Sequence, residues 1–345
     1  MRKRFGILLA AFFYYTGLVR LFRWCMRRMR KRVIILNYHR AGEGANDNNL
    51  RKHILYLRRH CRIMHLDEAL EQLYAPASDR DTDRRTIVVL TFDDGYYDNY
   101  TQGFTLAYEL QVPITIFLIP GYIESGRLFW WCEGDRLVQK AGARVVTVDD
   151  VTYDLNTPEG RMRLRQYIDV HLRYATSVTE REAFLEHMYE VLRVSPALTA
   201  EEEKDRSLAW GEILKMQESG WVSFGAHTMH HPILSYLADP AEVRNEVKAS
   251  RYVLEQRLGR FVHAFAYPVG QHEHINQTVI EAVREAGFPW AVTALSGIAT
   301  AESQPLLINR LLTDCQRHWL VLAAETSGIW QYFAPLWKKI LGSEV

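Results

Sequence analysis

Six short, almost wholly apolar runs recur along this 345-residue chain, at residues 33–38 (VIILNY), 87–92 (IVVLTF), 114–119 (ITIFLI), 222–226 (VSFGA), 264–267 (AFAY) and 290–293 (WAVT). Runs of this length, apolar on both alternating faces, are the mark of strands covered on both sides. Amphipathic stretches near residues 50–74, 97–111, 240–258 and 275–287 separate them. Strands that alternate with helices need crossover connections, so the pattern predicts an α/β fold with a largely parallel sheet. A composition of 48% hydrophobic and 24% charged residues supplies the core for such a body and excludes a disordered or fibrous chain. No internal repeat or low-complexity tract is present, and the charged segment 79–85 reads as a loop.

Residues ~122–208 break the alternation. Their pattern is mostly helical, with Thr157-Pro158-Glu159 as a helix start and Thr179-x-x-Glu182 as a capping box. They read as a helical insertion into the α/β body. Trp130 and Trp131 stand at its entrance, with Trp210 and Trp221 near its exit. Each of these indoles serves either as buried core or as a platform on which a sugar ring stacks.

The amino terminus is of another kind. Residues 1–32 carry ten basic side chains and no acidic one, which leaves 32 basic against 41 acidic side chains in the rest of a chain whose net charge is +1. Residues 5–19 form an uncharged run shorter than the ~20 residues that span a bilayer. No small-residue cleavage site follows, which speaks against a removed signal peptide. Beyond it Arg20, Arg23, Arg27 and Arg30 share one helical face, and Leu21, Phe22, Cys25, Met26 and Met29 cover the remainder. An apolar helix followed by a basic amphipathic one is expected to associate with an anionic membrane surface. A true span and a helix packed on the body are the competing readings. The apolar fraction of this arm argues against nucleic acid as a partner. Cys25, Cys61, Cys132 and Cys315 are scattered without a CxxC pair, so reduced thiols and a body on the cytoplasmic face of an inner membrane are expected.

Two motifs carry chemistry. Thr91-Phe92-Asp93-Asp94-Gly95 sets two adjacent carboxylates at the end of an apolar strand, where a turn must re-aim one of them if both serve one site. His227-Thr228-Met229-His230-His231-Pro232 follows another strand. Two imidazoles and a carboxylate make a three-ligand site for Zn²⁺ that keeps a position open, and Co²⁺, Ni²⁺ or Mn²⁺ suit the same donors.

Residues 91–95 resemble the TFDDG motif of the polysaccharide deacetylase (NodB-homology) family. His227-Thr228-x-x-His231-Pro232 is similar to its H-[ST]-x-x-H motif, and residues 265–270 (FAYPVG) resemble its third motif. With Leu36-Asn37-Tyr38-His39 the likeness covers most of residues 33–312. It implies a distorted (β/α) barrel and a hydrolase of linear amides that deacetylates N-acetylated amino sugars in a polysaccharide or lipid-linked glycan, as in exopolysaccharide biosynthesis. It further implies Asp93 as general base, Asp94, His227 and His231 as metal ligands, and the N–H of Val269 as oxyanion donor. Tyr267, Pro268 and Trp131 are the expected substrate contacts. His230 matches no ligand position.

The sequence departs from the family at two points. The L-x-x-H motif usual near the carboxyl end is absent there, where His318 follows Leu311-Leu312-Thr313-Asp314-Cys315; Leu36-x-x-His39 ends the first strand instead. That order resembles the circularly permuted deacetylases of poly-N-acetylglucosamine and implies His39 as general acid, with a structural histidine as the alternative. The arginine that orients the base in the third motif is replaced by Ala266, and Arg310 is a candidate substitute by residue type. The resulting division is a membrane-associating segment 1–32, a catalytic domain 33–325 and a tail 326–345. An O-deacetylase or deformylase, and a non-catalytic glycan-binding protein, are the competing functions; oligomeric state is not legible.

Overall fold

The computed structural model describes residues 2–26, 28, 31–42, 48–76, 83 and 85–330. At its centre seven parallel strands close into a barrel. They are β1 (Arg32–Tyr38), β2 (Ile87–Phe92), β3 (Ile114–Leu118), β4 (Val222–Ala226), β5 (Ala264–Ala266), β6 (Trp290–Ser296) and β7 (Ile308–Leu312). Closure comes from β1, which pairs in parallel with β2 on one side (Val33 opposite Ile87) and with β7 on the other (Asn37 opposite Leu312). The first and last strands of the ring are therefore neighbours. Two short strands flank it, Arg62–Ile63 beside β2 and Ala299–Thr300 antiparallel to β1.

All six predicted runs are strands of this ring. The seventh, β7, was not recognised because Asn309 and Arg310 interrupt its apolar pattern. The stretch near 50–74 is not one helix but two, Asn48–His60 and Leu66–Tyr74, with the strand Arg62–Ile63 between them. The 97–111 stretch begins as a π-helical segment, Asn99–Phe104, before Thr105–Leu110. Residues 79–82 and 84 of the expected 79–85 loop lie outside the described residues.

Strand alternation sorts the core into two layers. Ile34, Leu36 and Tyr38 of β1 face outward with Val88, Leu90 and Phe92 of β2 and pack under the surrounding helices. Val33, Ile35, Val89, Phe117, Ala264, Val292 and Ile308 face inward and fill the lower lumen, which Leu66, Ala69, Leu70 and Leu73 of the helix Leu66–Tyr74 close from below. Gly225 makes room for the Phe117 ring, since a Cβ there would lie 2.5 Å from it. The same inward parity continues upward to Asn37, Thr91, Asp93 and Arg310.

The excursion between β3 and β4 has its own core, with Phe129, Trp130, Leu137, Leu164, Ile168 and Met188 at its centre. It is not purely helical: Val145–Val148 and Val151–Asp154 form an antiparallel hairpin. Thr157 caps the helix Pro158–Tyr174 as its sequence predicts, accepting from Gly160 N at 3.0 Å. The expected capping box at Thr179 is displaced. Ser177 is the cap, accepting from Glu180 N, and Thr179 already lies within the helix Val178–Leu192.

At the amino terminus Arg2–Tyr15 and Leu18–Met26 are helices meeting at a 73° bend. Among the described residues no single helix is long and apolar enough to cross a membrane; the bent pair passes that test only jointly. Ala10, Phe13 and Val19 bury against Leu320, Ala324 and Ile329 of the carboxyl-terminal segment. The basic face differs from expectation at Arg23, which is buried and donates to the Tyr56 hydroxyl at 3.2 Å, because Tyr56 offers both an acceptor and a ring face. Arg27, Met29 and Arg30 lie outside the described residues, as do residues 331–345 of the tail.

Candidate active site

Strand parity carries Asp93 into the lumen as the next inward residue after Thr91, and the backbone then turns abruptly. Asp94 and Gly95 both adopt positive φ (71° and 68°), which swings the second carboxylate back to the same cavity. The re-aiming that the adjacent aspartates require is thus done by two consecutive left-handed residues. Of the eight non-glycine residues with positive φ among those described, Asp94, His231 and Val269 line this one cavity, and Thr228 lies in the same loop as His231. Each such conformation costs on the order of 1–3 kcal/mol, and strain of this kind concentrates where geometry serves a site. In the histidine loop, Thr228 Oγ1 accepts from His231 N at 2.9 Å and ties the strained turn together.

The cavity, of about 460 Å³, opens at the carboxyl ends of the strands, and Asn37, His39, Asp93, Asp94, His227, His231 and Val269 are on its wall. Ligand atoms of Asp94, His227 and His231 all lie within 4.8 Å of one another. His227 Nε2 is 3.5 Å and His231 Nε2 3.7 Å from Asp94 Oδ1. His227 Nδ1 donates to Ala266 O at 2.7 Å, which fixes the tautomer that turns the Nε2 lone pair inward. Burial pushes His231 down to about 3 and so holds it neutral, as ligation requires. Its Nδ1 is buried without a hydrogen-bond partner among the described residues. Burial alone would lower His227, but the Asp94 and Asp93 carboxylates outweigh it and raise its value, and a bound cation would take the place of that proton. Two imidazoles and one carboxylate, drawn together and buried, fit a divalent cation with positions left open.

Asp93 is held from across the barrel. Arg310 on β7 donates from Nη1 to Oδ1 (2.8 Å) and from Nη2 to Oδ2 (2.7 Å), a bidentate pair closed off from solvent. Its Nε donates to Thr293 O and its Nη1 also to Thr91 Oγ1. Burial alone would raise the Asp93 carboxyl, but the Arg310 guanidinium outweighs it and holds the group well below the usual carboxylate range. The candidate named by residue type thus stands where the third motif lacks its arginine. His39 lies on the rim beyond β1. Asp93 N donates to Tyr38 O, and Asn99 Nδ2 to His39 O, so β1–β2 pairing continues past the strand ends and brings His39 beside the aspartates.

Val269, at φ 58°, lines the cavity, and no acceptor within the described residues takes its N–H. Gly270 permits the close approach behind it: a Cβ there would meet Ala294 N at 2.7 Å. Trp131 reaches the cavity from the insertion, its ring 4.5 Å from that of His231 and its Nε1 donating to Tyr96. Trp130 is buried and donates instead to His231 O. Tyr267 is on the cavity wall, with its ring packed in the outer core and its hydroxyl donating to Leu306 O, and Pro268 is buried off the wall. His230 points away to Glu246 (2.7 Å), and His318 caps the helix Trp319–Thr326. Asn37, Tyr96, Arg40 and Gln271 were not foreseen as cavity residues. A polar Asn37 two residues before His39 in an apolar strand is the signal that could have found the first.

A family profile described as polysaccharide deacetylase matches residues 80–291. No curated protein matches significantly. Among solved structures, the deacetylase PplD of Streptococcus pyogenes superposes with TM-score 0.54 at 18% identity, over 85% of this chain and 97% of that one. IcaB from Ammonifex degensii does so with TM-score 0.54 at 18% identity, over 86% and 97%. A de-N-acetylase from Aggregatibacter actinomycetemcomitans gives 0.51 at 13%, over 83% and 96%. These likenesses establish the shared fold. The profile spans more than half of the chain and includes both chemical motifs: the chain belongs to the polysaccharide deacetylase family and is a carbohydrate deacetylase.

Proposed function

We propose that the protein removes the acetyl group from N-acetylated amino sugars of a polysaccharide or a lipid-linked glycan, in a reaction that depends on a divalent cation, most simply Zn²⁺. The observation that carries this reading is the convergence on one cavity of a clamped carboxylate, Asp93, with the buried cluster of Asp94, His227 and His231. The fold shared with a de-N-acetylase supports the amide as substrate. A cation held by Asp94, His227 and His231 supplies Lewis acidity, which acidifies water and polarises the acyl oxygen.

The chain's own groups do the remainder. Asp93, kept ionised and fixed in direction by Arg310, takes the proton of the attacking water. The N–H of Val269 donates to the oxyanion that forms as the acyl carbon becomes tetrahedral. His39 delivers a proton to the leaving nitrogen, so that the amine departs neutral and acetate remains. Trp131 offers a flat apolar face to the sugar.

The amino-terminal segment is read as the anchor to an anionic membrane surface. Its docked face leaves Phe5, Leu8, Phe12, Tyr15, Leu21 and Trp24 exposed (50–76%), with Arg28 stacked over Trp24. Apolar rings interleaved with basic groups suit the interface of an anionic leaflet. Four cysteines scattered without a CxxC pair favour the cytoplasmic face. The test is incubation of the cation-loaded protein with N-acetylated glycans and lipid-linked sugars. Loss of ~42 mass units per sugar, abolished in Asp93→Asn, is the expected result; loss undiminished in that variant sinks the reading. Sedimentation with anionic vesicles, weakened in Leu8→Glu, tests the anchor.

A further inference from the structure

Asn37 is the one inward residue of β1 that neither packs in the lower lumen nor stands on the rim. Its side chain is buried, the residue being 1% exposed, and it lines the cavity. Both its Nδ2 and its Oδ1 lack a hydrogen-bond partner among the described residues. The polar groups beside it are already engaged: Thr91 Oγ1 donates to Leu36 O and accepts from Arg310, and Arg310 is committed to Asp93 and Thr293. A buried donor and acceptor left unmade destabilise a fold, and leucine or valine would fill this position at no such cost. The carboxamide therefore serves a partner that enters from the cavity.

Its place on the strand says which part of that partner. Asn37 lies near the end of β1 and His39 just beyond it, and both are on the cavity wall, about 7 Å apart along an extended chain. One acylamino group reaches both. Building on the proposed deacetylation, in which His39 serves the leaving nitrogen, we infer that Asn37 Oδ1 accepts the N–H of the scissile amide and so makes the site selective for N-acyl over O-acyl sugars. An ester presents an oxygen without hydrogen at that point and leaves the Asn37 acceptor unpaired. Sites built to pair a substrate N–H discriminate strongly against analogues that lack it.

The experiment compares the full-length, Co²⁺-loaded protein with Asn37→Leu and Asn37→Ser, using an N-acetylglucosamine oligomer as amide and p-nitrophenyl acetate as ester. Asn37→Leu is expected to lower the amide-to-ester ratio of kcat/KM by about tenfold or more. Asn37→Ser, which keeps a small acceptor, should fall between. Melting temperature should hold or rise in Asn37→Leu, because two unpaired buried polar atoms are removed, and Co²⁺ affinity should be unchanged. A parallel fall on both substrates, no fall on either, or a lowered melting temperature in both variants overturns the inference while leaving the deacetylase reading intact. A wild-type protein that cleaves the ester but no amide overturns both.

Discussion

The lower and upper halves of the barrel lumen are built from the same seven strands and differ almost completely. Below, Val33, Ile35, Val89, Phe117, Val292 and Ile308 fill most of the interior, and the polar groups among them, the Thr115 and Ser223 hydroxyls, are bonded to each other. Above, the same inward parity presents Asn37, Asp93, Arg310 and His227, all buried, and ends in three strained backbone turns. Apolar packing at one end supplies stability; at the other, desolvated charge and left-handed φ consume it. One strand thus holds both a scaffold and a site, and the boundary between them falls within one or two residues.

The comparison can be broken most decisively at the mouth. Replacing His227 by alanine should lower turnover by ~10³-fold or more and abolish high-affinity cation binding, measured by titration with Co²⁺, while the unloaded protein melts close to wild type. Unchanged turnover would remove the ligand cluster from the chemistry. Phe117→Ala, made in the lower half, should do the reverse. A cavity in the packed lumen is expected to destabilise by about 3–5 kcal/mol in urea unfolding, with turnover per folded molecule preserved.

Arg310 stands at the boundary and sharpens the distinction. Arg310→Met leaves Asp93 buried without its partner and should cost about 3–5 kcal/mol of stability together with most activity. Adding Asp93→Asn should restore much of the stability and none of the activity, which separates the two roles of one ion pair. The smallest effect lies on the outer wall. His53 Nε2 donates to Arg317 O and Nδ1 accepts from the Tyr38 hydroxyl, and burial pushes the imidazole down to about 4. The unfolded chain binds that proton near pH 6.5 and the folded one does not, so stability is present above pH 6.5 and is lost as pH falls toward 4. The loss amounts to about 3 kcal/mol at most. His53→Gln should flatten that limb of an unfolding-versus-pH series; an unaltered limb would assign acid sensitivity to the mouth instead.

Legibility followed locality. Asp93 and Asp94 are adjacent, and His227 and His231 are four residues apart in one loop, so their chemistry could be seen in short motifs. The six apolar runs likewise announced six strands. β7 was hidden because the inward Arg310 and its neighbour Asn309 disguised it, and the hairpin 145–154 because a short two-stranded excursion among helices leaves little periodic signal. Arg23 could be read as part of a basic face and still turn inward, since nothing nearby in sequence reveals Tyr56 thirty-three residues away.

By itself, then, the sequence determined the class of fold, the residue types at the site and the turn that two neighbouring carboxylates demand. Those properties depend on local parity and on side chains a few residues apart. Tertiary structure alone decided that β1 closes the ring between β2 and β7. Closure sets His39 beside Asp93, lets Arg310 span the lumen to clamp it, and leaves Asn37 facing the cavity with its amide unpaired. Each of those relations joins residues more than fifty positions apart or depends on what fails to meet a side chain, and only a closed barrel fixes either.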